Sequence, residues 1–269
     1  MTLLFSRGNQ TTLRISVKNP FLKSDVSRTT QDDRLGFIDI GARGGISPVV
    51  ASHKDRLIQV LVEPEAEESA RLRALSDNGK NYRVIGTALA HRDGEFTFQE
   101  TVNPFCSSML PVNHEVLDQY ENLVEHFAFK CATPLVCSRY DTLYYREQLP
   151  LPHILKIDVQ GFEHQVLQGF GGLLQHTLGI TLESHLYPIY KDQKLLSDII
   201  EYLKGYDLVL RRIANDRSAD LNGDHHFQMD LVEVEAIFTK SRAWAAQQDE
   251  KTRANLNFAC ELLNVVPNR

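Results

Sequence analysis

The stretch Phe37-Ile38-Asp39-Ile40-Gly41-Ala42-Arg43-Gly44-Gly45 decides how the rest of the chain reads. A short apolar run beginning at Leu35 ends in an acid, and a glycine-rich turn follows at once. Buried parallel strands have this character, because both of their faces are covered. Ser47-Pro48 then supplies a helix start, Ser as N-cap and Pro at the first helical position, for a helix reaching about Lys54. Leu57 to Val62 is a second apolar run, and it too ends in an acid, Glu63-Pro64. Strand, glycine turn, helix, strand and terminal acid form the nucleotide-binding half of a Rossmann-type domain.

Outward from this unit the alternation continues. Glu65 to Leu75 is rich in helix formers, and Tyr82 to Ile85 reads as a third strand, so the order β-α-β-α-β implies a parallel sheet with right-handed crossovers. Between Gly94 and Tyr145 the rhythm loosens: Glu95 to Gln99 reads as an extra hairpin strand and Asn113 to Glu125 as a helix. His126 to Cys137 alternates in places, but Pro134 argues against a central strand. An insertion on the ligand side of the sheet fits this region. Regularity returns with His153 to Asp158, another run ending in an acid, then a helix from Phe162 to Leu174 and a strand from Thr177 to Leu182 that ends in Glu183. An amphipathic helix from Gln193 to Leu203 precedes two late strands, Tyr206 to Leu210 and Leu231 to Phe238, joined by a polar loop holding Asn222-Gly223. Arg242 to Leu263 reads as one final helix. The expected organisation is an N-terminal extension over 1–34, one α/β domain over 35–240, and a C-terminal helix over 241–269 on the same domain.

Of the 269 residues, 42% are hydrophobic and 24% charged, the balance of a globular protein that buries a full core without disulfides or metals. A formal charge of −6 argues against a general phosphate-backbone binder, whose affinity comes from clustered Lys and Arg, so no nucleic-acid partner is expected, although the net charge leaves room for a local basic patch. Cys106, Cys131, Cys137 and Cys260 are scattered with no C-x-x-C pair, and they read as reduced thiols. Arg7 and Asn9 end the N-terminal apolar run short of a signal segment, and no stretch is long enough for a membrane span. The expectation is a soluble cytoplasmic protein. Asp224-His225-His226 lacks a second ligand pair at suitable spacing, so no metal site is expected.

Asp39, Glu63 and Asp158 each stand where a predicted parallel strand runs out, the sheet edge at which open α/β folds bind ligands. A carboxylate at Glu63 accepts two hydrogen bonds from the vicinal hydroxyls of a ribose, and one at Asp39 orients an amino group. A pyrophosphate cofactor calls for G-x-G-x-x-G, and a P-loop for G-x-x-x-x-G-K-[ST]; Gly41-Ala42-Arg43-Gly44-Gly45 fits neither. An acid facing the pocket repels phosphate and attracts an ammonium or a sulfonium. The turn therefore points to S-adenosylmethionine (SAM) over NAD, with Asp39, Gly41, Ala42, Arg43, Gly45, Glu63, Ser107 and Asp158 as the expected cofactor-binding set.

With these residues in hand, the chain resembles the FkbM family of SAM-dependent methyltransferases. The motifs that carry the resemblance are Asp39 to Gly45, Glu63-Pro64, Ser107-Ser108, Asp141-Thr142-Leu143 and Lys156-Ile157-Asp158-Val159-Gln160-Gly161-Phe162-Glu163. Leu167-Gln168-Gly169, Glu183 and Leu186-Tyr187-Pro188-Ile189-Tyr190 extend it, in order, over roughly residues 35 to 240. The resemblance implies a Rossmann-like class I methyltransferase fold, a mostly parallel seven-stranded sheet with helices on both faces. It also implies methyl transfer, most often to an oxygen of a sugar or other small hydroxylated metabolite. The family usually has Asn where Arg43 stands and Glu where Gln160 stands. Transfer to an alcohol needs in-line alignment and a base, and Asp158, Glu183 and His185 are the candidates at the same sheet edge. The rival readings are a catalytically inactive SAM-binding module and an NAD-dependent Rossmann oxidoreductase.

Overall fold

The computed structural model describes residues 33–76, 82–119, 124–214 and 232–267. The chain divides at residue 34, and every element below belongs to the unit from Arg34 onward. Ten strands are formed among the described residues: β1 (Leu35–Ile40), β2 (Leu57–Val62), β3 (Tyr82–Ile85), β4 (Ala88–Leu89), β5 (Gly94–Thr101), β6 (Phe129–Ser138), β7 (Ile154–Ile157), β8 (Gly179–His185), β9 (Leu208–Ala214) and β10 (Glu233–Lys240). Seven of them build the main sheet in the order β3-β2-β1-β7-β8-β10-β9. Neighbours from β3 to β8 run parallel, and β10 lies antiparallel to both β8 and β9. The chain winds outward from β1 to β3 and then returns to the other side of β1 through β7. The strand order therefore reverses between β1 and β7, which is where open α/β sheets leave a crevice for ligand.

The strands are apolar because the sheet is covered on both faces. All six residues of β1 are buried. On one face Ile38, Ile40, Val60, Leu155, Ile157 and Leu182 pack with Val166, Leu167, Phe170, Ile199 and Leu203. On the other, Leu35, Phe37, Leu57, Ile154 and Ile237 pack with Leu256, Phe258, Ala259 and Leu262.

The helices are α1 (Pro48–Ala51), α2 (Ala66–Ala74), α3 (His114–Leu117), α4 (Tyr140–Glu147), α5 (Glu163–Gly169), α6 (Leu196–Lys204), α7 (Arg242–Ala245) and α8 (Glu250–Leu262). Several differ from the sequence expectation. The helix after the glycine turn is a single turn, short of Lys54. The expected helix from Phe162 to Leu174 breaks at Gly169–Gly171: a side chain on Gly169 would stand 2.2 Å from the Ala90 carbonyl, Gly171 takes φ +52°, and a 3₁₀ segment, Gly171–His176, follows. The C-terminal helix is likewise two, because Asp249 caps a new start with its side chain on the N–H of Thr252 at 2.7 Å.

Of the expected helix from Asn113 to Glu125, His114–Leu117 forms, and residues 120–123 lie outside the described set. β4, β5 and β6 form a separate small sheet in the order β4-β6-β5. Pro134 does sit in a strand, contrary to the sequence argument. β4 covers β6 only at Cys137 and Ser138, so at Pro134 the side away from β5 has no β4 partner, and the missing N–H breaks no ladder there. None of the four cysteines is paired in a disulfide. The N-terminal residues 1–32, the Asn222-Gly223 loop and Asp224-His225-His226 lie outside the described residues. No described helix is long and apolar enough to cross a membrane.

Candidate active site

Asp39, Lys156 and Thr181 are register partners across β1, β7 and β8, so they form one polar row on a single face of the sheet. It is the face that α8 covers nearer the other ends of the strands. The Lys156 ammonium lies 3.0 Å from the Gly41 carbonyl and 3.4 Å from both Asp39 Oδ1 and Asp158 Oδ2. Burial works against its charge, but the two carboxylates outweigh burial and hold its pKa above the ordinary lysine value. Asp39 is 6% exposed, and burial pushes its carboxyl up to about 6 against the pull of Lys156. Its Oδ1 has the ammonium nearby but no hydrogen bond of good geometry.

The glycine turn is built by close approach. Gly41 takes φ +76°, and a side chain there would come within 2.0 Å of the Asp158 carbonyl oxygen. The N–H groups of Gly41 and Ala42 both donate to the Val62 carbonyl, at 3.1 and 3.2 Å, which ties the turn to the end of β2. Gly44, at φ +90°, opens on space with no atom within 4 Å of where a Cβ would stand. Arg43 is exposed and lies 3.7 Å from Glu65 Oε2, at the N-cap of α2. Glu63 is buried, accepts the Glu65 N–H at 2.9 Å, and is raised above the usual carboxylate range by burial.

A second group of acids lies across the switch point. Gln160 Nε2 donates to Asp158 Oδ1 at 3.2 Å and to Glu183 Oε1 at 2.5 Å. Glu183 lies within β8 and not at its end as the sequence suggested, because β10 extends the ladder through Glu235↔Glu183 to Glu233↔His185. Glu163, fully buried, accepts the N–H groups of Val159 and Gly161 at 3.2 and 3.0 Å, and burial raises it to about 7. A cleft of about 260 Å³ opens beside this group, lined by Lys156, Asp158, Thr181, Glu183, Glu233 and Glu235 among others.

His185 is 2% exposed, and burial lowers it to about 4. Gln193 Oε1 accepts the Tyr190 N–H at 3.1 Å, so the amide nitrogen of Gln193 faces His185 Nδ1 at 2.7 Å. The ring therefore carries its proton on Nε2, which lies 3.7 Å from Glu233. Ser107 is turned into the insertion, where its Oγ accepts the Thr101 N–H at 3.1 Å. Its neighbour Ser108 reaches the site, donating to the Gln160 carbonyl at 2.6 Å. Among the described residues no group of three or more His, Cys, Asp or Glu is placed to hold a metal.

The structure thus brings Asp39 and Asp158 together through Lys156, and Asp158 and Glu183 together through Gln160. Sequence reasoning missed Glu233 and Glu235. Their signal was there, since they alternate with buried Val234 and Ala236, but that alternation equally describes a solvent face.

A seven-stranded sheet in this order, with its single antiparallel strand, defines a class I methyltransferase fold. Residues 39–210 match the family model described as Methyltransferase FkbM domain, and the chain belongs to that family. Among solved structures, a methyltransferase FkbM from Methylobacillus flagellatus KT is similar at 13% identity and a TM-score of 0.46, over 77% of this chain but only 44% of that one. A precorrin-6y C5,15-methyltransferase from Geobacter metallireducens GS-15 is similar at 12% identity and TM-score 0.36, over 78% of this chain and 81% of the other. An rRNA methylase from Streptococcus thermophilus follows at 14% and 0.35, over 78% and 88%. No curated protein matches the chain significantly. Likenesses this distant attach no acceptor to it.

Proposed function

We propose that this protein is a SAM-dependent methyltransferase acting on an oxygen of a small hydroxylated acceptor, a carbohydrate or related metabolite. The observation that carries the reading is the pair of buried carboxylates, Asp39 and Glu63, on either side of a glycine turn at adjacent strand ends. Two buried acids suit a ligand with an ammonium and vicinal hydroxyls and oppose a pyrophosphate. The open space over Gly44, and an Asp39 Oδ1 that has the Lys156 ammonium at 3.4 Å but no well-aligned hydrogen bond, are consistent with such a ligand. Glu63 then holds the ribose and Asp39 the amino group. The carboxylate at Glu65 keeps Arg43, where the family usually has Asn, balanced outside the acidic pair.

When bound, SAM supplies an electrophilic methyl group on a sulfonium. The chain's own task is to orient the acceptor and take its proton. The cleft beyond Asp158 takes the acceptor in this reading. Both Asp158 oxygens are engaged, one of them by the Lys156 ammonium, while Glu183 accepts from the neutral Gln160 amide and lines the cleft. Glu183 is therefore the base, with Asp158 orienting it through Gln160. His185, its Nδ1 lone pair already engaged, supports β8 from within.

Calorimetric titration with SAM, S-adenosylhomocysteine and NAD tests the assignment. SAM and S-adenosylhomocysteine should bind, and tight NAD binding without SAM binding would sink it. Glu63→Ala should weaken both by about 1–3 kcal/mol, the scale of charge-assisted hydrogen bonds. An unchanged affinity would remove the ribose from Glu63.

A further inference from the structure

The glycine turn contains a β-turn over Ala42-Arg43-Gly44-Gly45, closed by the Gly45 N–H donating to the Ala42 carbonyl at 3.0 Å. Its third residue, Gly44, takes φ +90°, the mark of a type II turn. Types I and II differ chiefly by a flip of the central peptide, here Arg43–Gly44, and a glycine in the third place accepts both. A trans peptide points its N–H and its carbonyl in opposite directions. Whatever holds the Gly44 N–H therefore decides where the Arg43 carbonyl faces.

Packing at Gly44 does not make that choice: apart from its chain neighbours, no atom lies within 4 Å of where its Cβ would stand. The inner part of the turn is tied to β2, with the Gly41 and Ala42 N–H groups on the Val62 carbonyl and Ala42 packed beside Leu61 and Leu72. The Gly44 N–H instead leaves the turn and donates to Glu68 Oε1, in α2, at 2.8 Å. Arg71, three residues further on, grips the same carboxylate with two guanidinium nitrogens, at 2.7 Å to Oε2 and 2.6 Å to Oε1. A fork of this kind fixes the carboxylate in orientation as well as in charge. The Arg71 hydrogen bonds also hold the Glu68 carboxyl down at about 2, so it remains an acceptor throughout the neutral range. The start of α2 holds Glu63 as well, through the Glu65 N–H on its carboxylate and the Ser69 hydroxyl on its carbonyl. One helix thus braces both the turn and the acid beside it.

We propose that Glu68 is a positioning residue for the nucleoside half of the ligand: by holding the Gly44 N–H against α2 it selects one orientation of the Arg43–Gly44 peptide and presets the turn for binding. This rests on reading the site as a SAM site. Without Glu68 the peptide distributes between two orientations, and apparent affinity falls by the fraction left in the competent one. SAM and S-adenosylhomocysteine share the nucleoside, so both lose equally.

Calorimetric titration of both ligands into wild type, Glu68→Ala and Glu68→Gln tests this, with exchange of the Gly44 amide followed by NMR in the free proteins. Glu68→Ala should weaken both ligands about 3–10-fold, leaving their ratio unchanged. It should also speed exchange at Gly44 while Gly41 and Ala42, tied to Val62, stay protected. Glu68→Gln loses the charge pair with Arg71 but keeps an oxygen for the Gly44 N–H, so its affinities should stay within about twofold of wild type. If the ion pair served only to stabilise α2, both variants would instead fall together. Glu68→Met, which keeps the length of the side chain and lacks the acceptor, replaces Glu68→Ala if that variant does not fold. A weakening below about 3-fold in the variant without an acceptor, or a Glu68→Gln as weak as Glu68→Ala, would overturn the proposal and leave the cofactor reading standing. Wild-type protein that binds neither ligand overturns the cofactor reading itself, and this inference with it.

Discussion

At the residue scale, the glycine turn has the narrowest tolerance. Gly41 combines a positive φ with a backbone oxygen where a methyl group would have to go, so neither rotation nor repacking relieves a substitution. Gly41→Ala should destabilise the protein by more than about 2 kcal/mol in chemical denaturation, while Gly44→Ala, strained but unobstructed, should cost less. Equal losses would show that φ alone matters. This part of the site was legible in the sequence because it is local: an apolar run, an acid and a glycine-rich turn declare themselves within a few positions. The strand-end positions of Asp39, Glu63 and Asp158 were legible that way. Ser107 and Ser108 were not separable, since which of two adjacent serines reaches Gln160 depends on how a distant insertion folds back. His185 read as a catalytic candidate by residue type, and only its burial and its contact with Gln193 show its lone pair engaged.

At the scale of elements, apolar periodicity located helices but not their interruptions. The helix beginning near Phe162 stops because Gly169 must pass the Ala90 carbonyl, a contact between segments far apart in sequence. The reach of β8 was underread for the same kind of reason: His185 belongs to the strand because Glu233 of β10 pairs with it. α8 is held by contacts between residues far apart in the chain. Phe258, 3% exposed, lies under the Arg56 guanidinium, 3.6 Å from the ring centroid, and stacks on His53 at 5.4 Å. It thereby joins α8 to the segment between α1 and β2. Phe258→Ala should lower stability by about 3–5 kcal/mol, read as a shift in the urea midpoint, and Phe258→Leu should recover most of it. A shift below about 1 kcal/mol would show that α8 contributes little to this face.

At the scale of the whole molecule, the buried titrating groups give stability a pH dependence with opposing parts. Glu163 is raised from 4.5 to about 7, chiefly by burial. Between those values the folded state holds more protons than the unfolded state at this group, so its contribution to stability falls as pH rises. His153 and His185, lowered from 6.5 to about 4 by burial, act in the opposite sense over their own window. Subtraction isolates Glu163. Measured against wild type, Glu163→Gln should gain stability between about pH 4.5 and 7, by up to roughly 3 kcal/mol in total. A constant difference across that range would show that the carboxyl titrates normally.

The insertion formed by β4, β5 and β6 meets Gln160 and Tyr190 through Ser108 Oγ and the main-chain carbonyl of Cys106. A carbonyl is the same whatever side chain carries it. Of these two hydrogen bonds, only the one from Ser108 constrains residue type. The segment between β5 and β6 is thus fixed to the site by a few anchors, Ser108, the Asn113 amide on the Pro188 carbonyl and the Phe127 ring on Tyr190, together with main-chain contacts that substitution leaves unchanged. Over evolutionary time it can diversify its outward surface, and with it the range of molecules that reach the cleft, while the charge arrangement at the strand ends is inherited intact.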